Sequence, residues 1–522
     1  MSQQIILGYL GIKAVSTLTP LWLLGVGMLG GIVLIAVFWA LLLLISRVTR
    51  IKALQRATEE TWLSIREGVL FHVMVVASIF VAITILSTFA LRPISESREI
   101  LSSLTRLNDV GTTTRTITIP GTPSGGGDEI VVPPATEMSL GFRNEELVAL
   151  KIESTETISV SHDPEAEMDT LSSTNVNAGD PSSWKKRPNS ESPFGGEGNV
   201  EALYIRNRGL DEATVTATIT TDVVYPEVRL IPIAAVTLFG IFLIYFLQAI
   251  FMPRLSAIAL ATFKSELAQP LFMIVMILGI VGIVFSIYIP YNTFGEDIKM
   301  LKDSGLTWIR VLCILLAVWG ASTTLSEEVE GRTALTVLSK PVRRRSFVIG
   351  KFFGIGWTTA LMFIVLGAVL LAVVSYKAVY DARETSAEPP TWHICYAEMV
   401  SIVPGLVLAF LETMILAALS VAISTRLPMF ANFMICFTVY VLGHLIPLIS
   451  QATVGQFEIV KFVGRFSAAI FPNLEAFNIQ SALAGGFAVP TEYLGASLIY
   501  SILFATVAML LALILFEDRD LA

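Results

Sequence analysis

The residues best placed to do chemistry lie together at Ser326–Gly354, SEEVEGRTALTVLSKPVRRRSFVIGKFFG. Glu327, Glu328 and Glu330 come first, Val329, Leu335 and Leu338 supply apolar anchors, and Lys340, Arg343, Arg344, Arg345 and Lys351 follow. This order predicts a short helix. Ser326 stands at its N-cap, the carboxylates complement the positive end of the helix dipole, and Pro341 ends it. Acidic, apolar and basic sectors in series make and break no bonds. Their chemistry is recognition, a helix filling a groove on a soluble protein. The same residues would also serve as a plain basic loop with a surface helix and no partner. Either way the stretch, set between two long apolar runs, has to lie in water at one membrane face.

Other reactive types are sparse. Glu412 lies in the apolar run PGLVLAFLETMILAAL. A charge near a bilayer centre costs about 2.5–3.5 kcal/mol on insertion scales, so this carboxyl has to face protein or water. It is a candidate pathway or dimer-interface carboxylate, or else a protonated, hydrogen-bonded structural group. Arg310 is read as snorkelling to the interface from the end of its span, and His444 as a packing residue. Gly350-Lys351 is followed by Phe352, so the chain lacks the G-x-x-x-x-G-K-[ST] loop that cradles nucleotide phosphates. No H-E-x-x-H occurs. Gly125-Gly126-Gly127-Asp128 sits in a polar loop, away from the apolar context an intramembrane protease needs. The cysteines, Cys313, Cys395 and Cys436, and the four histidines are scattered, which argues against a disulfide framework or a metal cluster. No catalytic residue is assigned.

The elements that would position these residues follow from hydropathy. Of the 522 residues, 54% are hydrophobic and only 15% charged, with a mean hydropathy of +0.71. That composition describes a polytopic membrane protein. The net charge of −8 is segregated by loop and gives no basic patch for nucleic acid. Nine runs meet the ~20-residue requirement for crossing the hydrocarbon layer: about 20–46, 69–91, 230–251, 271–290, 306–325, 352–374, 400–424, 429–449 and 494–516. Gly27 and Gly31 form a G-x-x-x-G in the first, a mark of close helix packing.

Lys and Arg concentrate in alternate loops. Arg47, Arg50, Lys52, Arg56 and Arg66 occupy one, Arg254 and Lys264 the next of that set, and the 326–351 stretch another. Cytoplasmic loops hold such an excess. The N-terminus is therefore expected outside and the C-terminus inside, and no cleaved signal peptide is read at the start. Residues 93–229 are then a soluble insertion on the outer side. Period-2 runs at Thr114–Ile119, Leu147–Glu153, Thr157–Ser161, Ala202–Asn207 and Ala213–Thr221 predict strands, and stretches rich in Gly, Pro and Ser at 121–127 and 178–200 predict loops. The expectation is a small β-sandwich, whose Leu203–Thr220 resembles the strand–turn–strand of immunoglobulin-like modules. Arg254–Gln269, with Leu255, Ile258, Leu260 and Phe263 among Lys264 and Glu266, suits an amphipathic helix at the inner interface. The fold class is mainly α, a membrane helix bundle with an inserted extracytoplasmic β domain. Its parts are 1–92 with two spans, 93–229 the β-rich domain, 230–252 a third span and 253–522 a six-span core.

The run LSKPVRRRSFVIGKFFG resembles the loop between the second and third core spans of ABC type-2 permeases. The family pattern of an acidic stretch, Gly-Thr, a Leu-rich turn, a basic-Pro-Val step, an Arg and Gly-Lys is met by Glu327–Glu330, Thr333, Leu338, Ser339, Lys340, Pro341, Val342, Arg344, Gly350 and Lys351. One departure is Arg332 at the family's Gly position, with Gly331 one residue earlier. The ending Phe516–Leu521 and the long loop 450–493 also fit, so the resemblance covers about residues 253–522. It implies a permease subunit, as a homodimer or heterodimer, in a prokaryotic inner membrane. Its coupling helix would dock a separate cytoplasmic ATPase through Glu327, Glu328, Glu330, Thr333, Leu335, Leu338, Lys340, Pro341, Arg344 and Lys351. ATP and Mg would bind that partner and no cofactor this chain. Short helices over 456–483 would cap the outer end of the pathway. Export is the expected activity. The outer domain suggests an alternative, a non-transporting assembly that passes ATP-driven motion to an envelope partner.

Overall fold

A computed structural model of the chain describes residues 2–49, 52–90, 94–121, 135–161, 173–187, 192–194, 198–289, 296–326, 343–452, 462, 466–480, 482 and 487–517. Two compact units emerge, residues 93–229 and the remainder, 1–92 with 230–522.

The larger unit is helical. Among its described residues nine helices are long and apolar enough to cross a membrane, over Val15–Val48, Val69–Phe89, Pro226–Phe251, Pro270–Tyr288, Asp297–Leu325, Arg344–Glu384, Trp392–Ser424, Met429–Pro447 and Thr491–Glu517. Each falls on one of the nine runs expected from hydropathy. The elements are α1 (Ser2–Thr49), α2 (Lys52–Glu67), α3 (Val69–Ala90), then, past the inserted unit, α5 (Leu230–Phe251), α6 (Pro253–Leu267), α7 (Pro270–Phe285), α8 (Asp297–Ala321), α9 (Arg344–Glu384), α10 (Trp392–Val400), α11 (Val403–Ser424), α12 (Met429–Ala452) and α13 (Thr491–Glu517).

Two helices outrun their apolar segments. α1 has 48 residues, about 70 Å at ~1.5 Å per residue, and α9 has 41. Their polar ends keep helical hydrogen bonding, so a hydropathy window sees only the middle. The bundle core joins Phe242, Phe246, Phe263, Phe272, Ile309, Leu366, Leu370, Leu408 and Leu416. A second apolar cluster is built on small residues, with Ala417, Ala418 and Ala422 of α11 against Ala508 and Ala512 of α13, closed by Phe347 and Phe516. Small side chains let helix backbones approach where lipid gives no hydrophobic drive. Gly27 and Gly31 do the same for α1 and α5. A Cβ at Gly27 would stand 2.7 Å from the Ala234 Cβ, and one at Gly31 3.0 Å from the Leu238 Cβ. The three cysteines are free and buried.

The smaller unit starts with α4 (Ile94–Thr105) and continues with β1 (Thr112–Ile119), β2 (Thr136–Arg143), β3 (Leu147–Ser154), β4 (Ile158–Ser161), β5 (Ser173–Val176), β6 (Ser182–Lys185), β7 (Asn199–Asn207) and β8 (Ala213–Thr221). Two antiparallel sheets form, in the orders β1-β8-β3-β6 and β2-β7-β4-β5. Both contribute to one apolar core, which makes a sandwich. In β8 the alternation is clean, Ala213, Val215, Ala217 and Ile219 inward and buried. Across the outward face, Thr116 and Thr216 hydroxyls lie 3.2 Å apart and those of Thr112 and Thr220 3.3 Å. Gly141, at φ +66°, marks the bulge between Ser139 and Phe142 in β2.

Several expectations change. β2, β5 and β6 carry too little periodicity to be read from sequence, and β6 with the start of β7 lies inside the stretch 178–200 expected to be loop. The Leu203–Thr220 pair is no hairpin, because β7 and β8 belong to different sheets. Residues 122–134, which hold most of the other expected loop, lie outside the described residues. Arg106 clasps the buried Glu146 with two contacts, Nε to Oε1 at 2.6 Å and Nη2 to Oε2 at 2.7 Å.

Candidate functional site

Two regions hold the residues singled out above. The first is a charged cluster inside the helix bundle. Glu412 is fully buried on α11. Arg310 of α8 places Nη1 3.4 Å from Glu412 Oε2, and its side chain is only 12% exposed. The snorkelling expected of Arg310 is therefore not found. A guanidinium gains more from a buried carboxylate than from reaching away, because an unpaired buried charge costs several kcal/mol. His444 of α12 joins from the third side, with Nε2 3.5 Å from Glu412 Oε1.

The tautomer follows from the other ring nitrogen. Nδ1 lies 3.0 Å from the Tyr440 carbonyl, which can only accept, so Nδ1 carries a hydrogen. Nε2 and the carboxylate oxygen would then present lone pairs to each other unless a proton lies on one of them. The cluster can thus hold a proton as well as a salt bridge. His444 is more than the packing residue expected. Residues of opposite charge so far apart in sequence carry no spacing signal. The signal available was the charge sign alone, one carboxylate and one guanidinium in two apolar runs with a third between them.

Arg310 also lines a cavity of about 20 Å³, with Asp303, Thr307, Gly405, Asn478 and Gln480. That is room for a single water. The segment that closes it, Leu474–Gln480, buries Leu474, Phe477 and Ile479 in the bundle, and the Leu474 N–H donates to the Gly443 carbonyl at 3.1 Å. Of the stretch 456–483, residues 466–470 are helical and Glu475–Phe477 form one 3-10 turn, while 453–461 and 463–465 lie outside the described residues.

The second region flanks the charged stretch. Glu327, Glu328, Glu330, Thr333, Leu335, Leu338, Lys340 and Pro341 lie outside the described residues. The chain reaches them through a π turn, Ser322–Ser326, a feature frequent at functional sites. Ser322 there is 2.7 Å from the amide nitrogen of the buried Asn432, which also meets Ser420 at 2.7 Å and Ser424 at 2.9 Å. Asn432 thereby ties the end of α8 to α11 and α12. This polar node was not anticipated, since an Asn among serines is unremarkable as sequence.

On the far side, Arg344 opens α9 and is exposed. Its Nη1 donates to the Glu517 carbonyl at 3.1 Å, and Arg426 Nε donates to the Leu515 carbonyl at 2.8 Å. Both satisfy last-turn carbonyls of α13, where positive charge is favoured. Lys351 is placed differently. It is 7% exposed, its ammonium 5.5 Å from the Phe347 ring centre. Of the coupling residues expected, Arg344 presents itself to solvent and Lys351 to the bundle interior.

For metals, Asp297, Asp381 and Glu384 bring carboxylate oxygens within 4.8 Å of one another. Lys377 already sits 2.8 Å from Asp381 and supplies the positive charge a cation would bring.

A family model described as ABC-2 family transporter protein matches residues 57–521. No curated protein matches the chain.

Proposed function

Since the chain belongs to the ABC-2 family of transporter proteins, we propose that it is the permease subunit of an exporter driven by a separate cytoplasmic ATPase. The observation that carries the coupling is the setting of residues 327–342. This polar stretch joins α8 and α9, two helices packed through the bundle core, so a push on it reaches the interior rather than a loose loop. ATP closure on the partner would rock this element and, through α8 and α9, alternate the access of the pathway. Arg344 borders the docking surface. Glu412, Arg310 and His444 are the pathway residues, linked through Arg310 to the cavity closed by Leu474–Gln480. The proposed setting is a cytoplasmic membrane, with the charged stretch inside, residues 93–229 outside, and a second permease subunit alongside.

Co-purification tests the coupling. An ATPase subunit is expected to accompany the chain and to be lost when 327–342 is replaced by a Gly/Ser loop. Retention after the replacement would sink the assignment. Uptake of substrate into inside-out vesicles tests the direction. A second reading, motion passed to an envelope partner instead of transport, is favoured by the compactness of residues 93–229, a unit with its own core. Deleting 100–225 separates the two. Transport that survives supports the exporter, and lost function with intact ATP turnover supports the second reading.

A further inference from the structure

α6 carries a carboxylate on its buried face, among Leu255, Ala259 and Phe263, where the amphipathic pattern calls for apolar side chains. Glu266 is 3% exposed. It lies against the backbone of α8: a Cβ at Gly320 would stand 2.5 Å from Glu266 Oε1 and 3.1 Å from Oε2. On its other side is α9, with Lys351 and Thr358. Among the described residues neither oxygen meets a donor in good hydrogen-bond geometry. Such a group is expensive to keep, so packing alone does not explain a carboxyl there.

Its neighbours tie α6 to both flanks of the 327–342 stretch. Towards α8 the tie runs through Gln269, two residues past the end of α6: Trp319 Nε1 donates to Gln269 Oε1 at 3.0 Å, and Gln269 Nε2 donates to Thr323 Oγ1 at 3.4 Å, within the π turn. Towards α9, a Cβ at Gly350 would meet Ile258 at 2.8 Å and one at Gly354 would meet Thr262 at 2.5 Å. We propose that Glu266 is the positioning residue of the coupling element: its carboxyl, wedged on Gly320 before the stretch and facing Lys351 after it, makes α6 a strut through which the two flanks move together. This rests on the reading of 327–342 as the ATPase-coupling element.

The charge state of the carboxyl sets the strength of the strut. Burial pushes its pKa up to about 8, against the lowering pull of the Thr358 hydroxyl and the Lys351 ammonium. Lys351 is the charged group that faces it. α5 and α7 contain none, the charged residues of α8 all lie ten or more residues before Gly320, with Arg310, the nearest, paired to Glu412, and on α6 itself Lys264 is taken by Glu67 of α2 at 3.2 Å. Below about pH 8 the carboxyl is neutral and packing holds the strut. Above it the ionised group attracts Lys351 and the link tightens.

The test uses the full chain with its ATPase in lipid nanodiscs, with ATP hydrolysis measured from pH 6.5 to 9.5. Wild type is expected to change severalfold with a midpoint near 8. Glu266→Gln should retain the ATPase in equal amount and flatten the profile. Lys351→Met, which removes the lowering pull, should move the midpoint upward, a shift that a merely structural role would not produce. Bound ATPase with an unchanged profile in Glu266→Gln, or an unmoved midpoint in Lys351→Met, overturns the assignment alone. A wild-type chain that retains no ATPase overturns the coupling reading and this assignment with it.

Discussion

Arg310 and Glu412 show how burial turns a charge into a commitment. The carboxylate has no exposed surface, so removing its partner strands it. Arg310→Ala is expected to cost about 3–5 kcal/mol, read as a lower melting temperature in detergent. The double variant Arg310→Met/Glu412→Leu should recover most of that loss, because well-packed apolar residues often replace a buried ion pair at little cost. If the recovered protein has lost transport, the cluster serves the pathway and not the fold. Glu412 was legible in the sequence, since a lone carboxylate in an apolar run announces itself. Its partnership with Arg310 and His444 was not. It depends on which faces of α8, α11 and α12 meet, and α11 is apolar nearly all round, so periodicity does not say which of its faces receives the other two. Glu266 misled for the opposite reason. Its helix does have two faces, and the carboxylate sits on the apolar one.

At the scale of elements, close approach of α1 and α5 depends on glycine. Gly27→Leu would drive its Cβ to 2.8 Å from the Ile231 carbonyl oxygen, where backbone has to give. The expected cost is about 1–3 kcal/mol, visible as a lower thermal midpoint. Gly240→Ala on α5 is the control, since its Cβ meets nothing within 4 Å, and it should leave the midpoint unchanged or raise it slightly. The G-x-x-x-G was readable in the sequence, although nothing in it named α5 as the helix it would meet. Span number was equally readable, because ~20 apolar residues in a row leave the backbone few alternatives to a helix. The amphipathic α2 was not. It lies in a basic loop and buries small polar residues, Thr58, Thr61 and Ser64, against the bundle, a packing with no local signature.

For the whole molecule, two compact units with separate cores should melt separately. Arg106→Ala removes both contacts to Glu146, itself 3% exposed, and should cost about 3 kcal/mol. Calorimetry should show the transition of residues 93–229 lowered and that of the helical unit unmoved. A single transition that shifts as one would show the units to be coupled. The strands of that unit were legible where Thr, Val and Ile alternate, as in β8, and hidden where four-residue strands such as β5 and β6 rely on neighbours for their hydrogen bonds. The burial of Cys313, Cys395 and Cys436 has a practical consequence at this scale. The natural chain is expected to be silent to a thiol reagent in water, which labelling of the unaltered protein checks, so single cysteines can be added without first removing any. Leu210, 74% exposed, and Trp62, 55% exposed, lie on opposite sides of the proposed topology. A membrane-impermeant maleimide on intact cells should mark Leu210→Cys and spare Trp62→Cys, and the reverse pattern would turn the protein over in its membrane.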